Sequence, residues 1–266
     1  GQEVVTLEQQ FPSNFYAWRQ LAADSGARLV QVPRPPDGDW AAAVLAHLGP
    51  DTGVVALPPC HWTDGSRIDL APIGARCREL GAAFIIDATQ YIGAGPLDVA
   101  DLQPDFLACS AYKWLLCPYT LAFLYAAPHR QQGRPLEQRT DSPVDNARRY
   151  DMGERYNFIN MPMAVAALTQ VLDWTPAAIA ETLAPLTRHA ADAARTRGLV
   201  VPPDAHRVAH YIGLRRQGGL PEGLDRKLAE DGVYAALRGD AVRISPYLFS
   251  DTADIDRFFK ALDRHL

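Results

Sequence analysis

The chain has 266 residues, 48% of them hydrophobic, and a formal net charge of −5, enough to bury a substantial core in one large or two modest domains. That charge leaves no basic footprint for nucleic acid, arginines interspersed with acids form no polybasic tail or membrane-surface stripe, and no run approaches the roughly 20 apolar residues that span a bilayer. With no secretory signal, and with Cys60, Cys77, Cys109 and Cys117 in neither a C-x-x-C pair nor metal-like spacing, the expectation is reduced thiols, no bound metal and a cytoplasmic location.

In chain order, apolar runs at 4–7, 29–32, 54–57, 83–86, 106–109 and 122–125 predict strands. They alternate with helix-like stretches such as 41–48 and 73–80, which argues for βαβ units and a mainly parallel sheet. The Arg- and Gln-rich segment 129–149 lacks periodicity and reads as an exposed loop. From Met161 an Ala/Leu-rich pattern predicts helix to about residue 197, interrupted near Pro176 and Pro185 because proline removes a backbone donor. Beyond it, 210–214, 224–230, 233–237, 242–245 and 255–266 read as strand, helix, strand, strand and helix. The expected fold class is α/β: a large domain over 1–160, a connecting helical region over 161–198 and a small C-terminal α/β domain over 199–266.

Chemistry-bearing residues gather after two of these strands. Lys113, Lys227 and Lys260 are the three lysines. Lys113 lies in Ser110-Ala111-Tyr112-Lys113-Trp114, shortly after Phe84-Ile85-Ile86-Asp87-Ala88-Thr89-Gln90. An amine on a flexible stem forms a Schiff base with an aldehyde cofactor when its surroundings lower the cost of losing the proton. A carboxylate facing a pyridine nitrogen keeps that nitrogen protonated, so the ring accepts electrons from a carbanion. Asp87 ends an apolar run, and ligands in open α/β sheets gather at the carboxyl ends of strands. The pairing points to pyridoxal 5'-phosphate, with Lys113 and Asp87 catalytic, Gln90 on the ring's phenolic oxygen, and Ser110 and Tyr112 on phosphate or neighbouring polar groups. The plainer alternatives are a snorkelling lysine, as expected of Lys227 and Lys260, and an aspartate that caps the next turn. Both segments together favour the cofactor site.

The run from Asp87 to Lys113 resembles the class V aminotransferase family of fold-type I pyridoxal-phosphate enzymes, which includes cysteine desulfurases, kynureninases and isopenicillin N epimerase-like proteins. The likeness extends over almost the whole chain. Gly1-Gln2-Glu3-Val4-Val5 is similar to the family's Gly-Asp-Glu-Val strand, and Phe11-Pro12-Ser13-Asn14, with Trp18, to the loop over the cofactor. The resemblance implies an aspartate aminotransferase-like large domain, with Phe11 stacked on the pyridine ring rather than serving as a hydrophobic staple. From Val242-Arg243-Ile244-Ser245-Pro246 it implies that Arg243 binds the substrate α-carboxylate, for which a planar guanidinium fork is suited; a surface ion pair is the default for any arginine. His61, in Pro58-Pro59-Cys60-His61-Trp62-Thr63, falls among substrate contacts, with a packed loop histidine as the equal alternative.

Two departures qualify what the resemblance implies. Family members that remove sulfur from cysteine place a nucleophilic cysteine before the carboxylate arginine. Here Tyr234-Ala235-Ala236-Leu237-Arg238-Gly239-Asp240 has none and no cysteine follows Cys117, so a persulfide route is disfavoured. Family members also carry a longer N-terminal part, whose Gly-Thr-rich turn binds the cofactor phosphate at a helix start, and this sequence begins after that point. Family sites lie at a dimer interface, so a homodimer is expected, with a separate N-terminal partner chain as the second route to that segment. The stretch matching the neighbour's phosphate loop is Met152-Gly153-Glu154-Arg155-Tyr156-Asn157, where Glu154 repels phosphate unless Arg155 compensates. The expected function is a pyridoxal-phosphate-dependent enzyme acting on an amino-acid substrate by transamination, epimerisation or β-elimination such as C–S lysis. The alternative is a catalytically silent or partner-dependent subunit of such an enzyme.

Overall fold

Apolar runs this short are strands buried on both faces, the signature of a parallel sheet. In the computed structural model, which describes residues 1–137, 146–153 and 157–266, β1 (Glu3–Leu7), β2 (Arg28–Val32), β3 (Thr52–Leu57), β4 (Ala83–Asp87), β5 (Phe106–Ser110) and β6 (Ala122–Ala126) form one sheet in the order β2-β1-β3-β4-β5-β6. All neighbours are parallel except β5 and β6. Parallel pairs need crossovers, and α1 (Pro12–Ser25), α2 (Trp40–Leu45), α3 (Leu70–Leu80) and α4 (Val99–Leu102) lie in them. Val5, Leu7, Val55, Leu57, Phe84 and Ile86 are buried. Each strand lies within two residues of its predicted bounds. Helix α3 starts earlier than its periodicity predicts because Asp69 caps it, accepting from Ala71 N at 3.3 Å, and Gly81 ends it at φ 68°.

The predicted long helix resolves into α5 (Asn160–Trp174) and α6 (Pro176–Arg195). The break at Pro176 stands: it takes the first position of α6, and Thr175 Oγ1 accepts from Ala178 N at 3.2 Å. The interruption expected at Pro185 does not occur. Pro185 and Glu181 lie on the exposed side of α6, where solvent can replace a donor that proline removes. Leu183, Leu186, Ala190, Ala191 and Ala194 bury the other side and keep the helix continuous. The segment 129–149, expected as an exposed loop, is overlapped at its two ends by 3-10 turns at Pro128–Arg130 and Ala147–Tyr150. Within it Arg149 is buried and donates from Nη1 to Gly133 O at 2.9 Å.

Contacts divide the chain into two units. The first comprises Gly1–Arg34, Ala41–Pro59 and Asp69–Trp174, the second Pro35–Trp40, Cys60–Ile68 and Thr175–Leu266. These bounds differ from 1–160, 161–198 and 199–266: α5 falls in the first unit, α6 in the second, and two short early segments join the second. Within the second unit, β7 (Ile212–Leu214), β9 (Ala241–Ile244) and β8 (Ala236–Arg238) form an antiparallel sheet in that order. With α6, α7 (Leu224–Glu230) and α8 (Thr252–Leu262) they enclose a core that includes Ile212, Leu214, Leu228, Val242, Phe258 and Phe259. Glycine seats Cys60–Ile68 in this unit. A Cβ on Gly213 would lie 2.5 Å from Asp64 Cα, and one on Gly65, at φ 76°, 2.6 Å from the Tyr211 carbonyl. No single helix among the described residues is long and apolar enough to cross a membrane.

At the amino end of β5 in the first unit, buried Asp105 accepts from Phe84 N (2.7 Å), Arg130 Nε (2.6 Å) and His129 Nε2 (2.7 Å). Burial pushes its pKa up, but the bonds from Arg130, Phe84 and His129 outweigh it and hold the carboxyl below its ordinary value. A carboxyl so lowered contributes stability that is complete above the unfolded pKa of about 3.9 and is lost as pH falls through the lowered folded value. Asp105→Asn is expected to cost about 2–4 kcal/mol in urea unfolding at pH 7. It should also flatten the acid limb of the stability curve below about pH 4; an unchanged limb would place that stabilisation elsewhere.

Candidate functional site

Parallel pairing puts the carboxyl ends of neighbouring strands at one edge of the sheet. Asp87 closes β4 and Ser110 closes β5; Asp87 is in register with Ala108, and Ala88 N donates to Ala108 O at 2.8 Å. Thr89 joins the two ends. Its N–H donates to Asp87 Oδ1 and its Oγ1 accepts from Ser110 N, both at 3.1 Å. Gln90 Oε1 accepts from Trp114 Nε1 at 3.3 Å, so the segments after β4 and β5 are stitched at two points. Gly93, at φ 94°, permits the approach, since a Cβ there would lie 2.5 Å from the Trp114 carbonyl oxygen.

Lys113 follows in the turn after β5. Its Nζ lies 5.5 Å from the ring centre of Phe11 and 5.6 Å from that of Tyr112. Phe11 is delivered by the start of α1, where it precedes Pro12 and Gln10 Oε1 accepts from its N–H at 2.8 Å. Tyr112 in turn stacks on Tyr119, with ring centres 4.4 Å apart. The first unit therefore joins Phe11, Asp87, Gln90, Ser110, Tyr112 and Lys113 in one connected set. Sequence reasoning missed Thr89 and Trp114; their signal was adjacency alone, one between Asp87 and Gln90, the other directly after Lys113. A primary amine, aromatic faces and a strand-end carboxylate are the groups that a phosphorylated pyridine aldehyde requires, for its aldehyde, its ring face and its ring nitrogen respectively. The residues present fit that cofactor.

In the second unit β9 carries Arg243 between buried Val242 and Ile244. Its Nη1 donates to Trp62 O at 2.7 Å, its guanidinium carbon lies 5.4 Å from the Tyr211 ring centre, and its buried Nε has no hydrogen-bond partner. Burial pulls the Arg243 pKa below the usual guanidinium value. Arg215 is the contrast, since its Nη2 donates to buried Asp64 at 2.5 Å and its Nε to Asp240 at 2.9 Å. Tyr211 is fully buried and its hydroxyl donates to His61 O at 2.9 Å. His61 itself has no exposed surface: its ring stacks on Trp40 at 5.3 Å, and Nδ1 lies 2.7 Å from Thr63 Oγ1. That environment favours the packed-histidine alternative over a substrate contact. Glu154 and Arg155 lie outside the described residues.

Among known proteins, the family described as "Aminotransferase class-V" matches residues 1–258. Isopenicillin N epimerase of Streptomyces clavuligerus is 24% identical, over 98% of this chain and 73% of its own length. A probable cysteine desulfurase of Vibrio cholerae serotype O1 is 29% identical, over 47% of this chain and 31% of its own. The chain thus spans about three quarters of the epimerase and about a third of that desulfurase. The apo structure of a cysteine desulfurase from Thermococcus onnurineus NA1 superposes with a TM-score of 0.85 at 16% identity, covering 99% of this chain and 72% of the other. At that identity the likeness carries the fold.

Thr89→Val removes the hydroxyl at nearly constant shape and leaves Ser110 N without its acceptor. The expected cost is about 1–3 kcal/mol, with faster hydrogen exchange at the Ser110 amide than in the parent chain. Unaltered exchange there would mean that Thr89 does not tie β4 to β5.

Proposed function

Because the chain belongs to the class V aminotransferase family of pyridoxal-phosphate-dependent enzymes, we propose that it acts on an amino acid with Lys113 as the residue that holds the cofactor. The observation that carries this reading is the placement of the Lys113 amine against the Phe11 ring, in the set joined to Asp87 through Thr89. When bound, the cofactor supplies an aldehyde for the substrate amine and a ring that accepts electrons from the α carbon. Asp87 would hold a proton at the ring nitrogen, Phe11 would cover the ring face, Gln90 would meet the phenolic oxygen, and Ser110 and Tyr112 would contact the phosphate or neighbouring polar groups. Lys113 would also take the proton from the substrate's α carbon and return it. Arg243 binds the α-carboxylate, for which its unpaired Nε is a donor without an acceptor.

Transamination, epimerisation and β-elimination share this proton removal. A persulfide route fits poorly. All four cysteines are buried, and burial pushes the Cys77 thiol up to about 12 and the Cys109 thiol up to about 11. Burial also raises Cys117. A thiol so protonated is a weak nucleophile at neutral pH. A second reading, a site completed by a partner such as a second copy of this chain, draws support from large apolar side chains left exposed in the first unit. Tyr119, which stacks on Tyr112, is 72% exposed, and Leu116, Phe158 and Ile159 are exposed as well.

Incubation with pyridoxal 5'-phosphate, borohydride reduction and peptide mapping are expected to place the cofactor mass on the Lys113 peptide, and to place none there in Lys113→Ala. Label on Lys227 or Lys260 instead, or no label, would remove Lys113 from this role. Uptake that rises with chain concentration would favour the partner-dependent reading. Asp87→Asn is expected to keep the label while slowing exchange of an amino acid's α proton with deuterated water by about 100-fold or more; exchange at the parent rate would take Asp87 out of the chemistry.

A further inference from the structure

Beside Arg243 the second unit holds a cavity of about 280 Å³, at the small end of the ~300–1,000 Å³ typical of ligand pockets and so suited to a molecule of amino-acid size. Much of its lining is apolar or aromatic, from Val233, Tyr234, Pro246, Phe249, Ile255 and Phe258. Tyr234 is 87% and Phe249 86% exposed, and aromatic surface left open beside a cavity marks a place that a ligand covers. Phe249 sits on a closed turn: Ser250 N donates to Tyr247 O at 2.8 Å, and Ser250 Oγ accepts from Tyr247 N at 3.2 Å. Its ring lies 6.2 Å from that of Tyr247. Three residues with charged side chains contribute to the lining, Arg243, Asp254 and Arg257. Arg257 Nη2 pairs with Asp254 Oδ1 at 3.2 Å, and Asp254 Oδ2 accepts from Asp251 N at 3.2 Å. Arg243 is left as the charge that no carboxylate neutralises among the described residues.

We infer that this cavity selects an α-amino acid whose side chain is apolar and aromatic, with its carboxylate on Arg243 and its ring against Tyr234 and Phe249. The inference rests on the carboxylate role proposed for Arg243 and adds the substrate class to it. A small polar side chain, such as that of cysteine, leaves both rings in water and gains little from the apolar walls. For an acidic side chain the second cation of the lining, Arg257, comes with the Asp254 carboxylate beside it, which repels a second acid.

3-Phenylpropionate and propionate present the carboxylate with and without the ring, and neither carries an amine. Calorimetric titration of the full chain with each therefore reads the cavity independently of Lys113. The expected result is that 3-phenylpropionate binds about tenfold or more tightly than propionate. Replacing both exposed rings, Tyr234→Ser with Phe249→Ser, should shrink that ratio below about twofold at unchanged Tm. Arg243→Met should abolish binding of both ligands, and Arg243→Lys, which keeps the charge without the fork, should weaken both. Equal affinities in the parent chain, or a preference that survives the double substitution, would overturn the aromatic substrate class and leave the role of Arg243 standing. If neither carboxylate binds, or both bind Arg243→Met undiminished, the carboxylate role itself fails and the substrate class falls with it.

Discussion

The carboxyl ends of β4 and β5 are held together through the hydroxyl of Thr89, which accepts from Ser110 N while the Thr89 N–H donates to Asp87 Oδ1. An acid on one strand and the turn that carries Lys113 on the next therefore cannot drift independently. The bond to Thr89 also orients the Asp87 carboxylate through one oxygen, and the other oxygen's lone pairs suit a ring N–H. Downstream of Lys113, Leu116 and Thr120 sit at φ 58° and 74°, a conformation that costs a non-glycine residue about 1–2 kcal/mol. Pairing of β5 with β6, from Ser110 opposite Ala122 onward, closes the turn and holds it in that strained form.

The second unit treats two arginines in opposite ways. Arg215 meets Asp64 and Asp240, so its charge is balanced and it ties the Cys60–Ile68 segment into the unit. Arg243 meets a carbonyl and an aromatic ring. Those partners orient a guanidinium without neutralising it, and a partly buried cation in that state gains more from an incoming carboxylate than a surface arginine does. The fixed Tyr211 hydroxyl and the stacked His61 ring hold the segment whose Trp62 carbonyl accepts from Arg243.

Legibility in the sequence follows the range of the interaction concerned. The six strands can be read because a buried parallel strand is a short apolar run, a local property. Asp87 and Lys113 stand out as candidates because their residue types and their positions after strands suit the proposed chemistry. Thr89 cannot, since its use depends on which strand pairs with β4. Pro185 misleads because the local rule sees a lost donor and not the apolar face that α6 buries. His61 has a ring that can bind or pack, and its stacking on Trp40 is a contact between distant residues that no local pattern shows. The unit boundaries escape periodicity altogether, because Gly65 and Gly213 bring an early segment against a late strand.

A division of chemical labour follows from these constraints. The groups proposed to serve the cofactor lie on turns after β4 and β5, where one substitution disturbs a connected set. The groups around Arg243 are different: Tyr234 and Phe249 are largely exposed side chains whose replacement leaves the core of the second unit intact. The surroundings of Arg243 can therefore change by substitution without disturbing the set that holds Asp87 and Lys113. Which bond at the α carbon breaks depends on how the substrate is held, and a bidentate grip on the carboxylate fixes that orientation in a way a point charge does not. In the roles proposed for them, Lys113 and the strand-end acid Asp87 serve a step that several reactions share, so the fold by itself does not choose among those reactions.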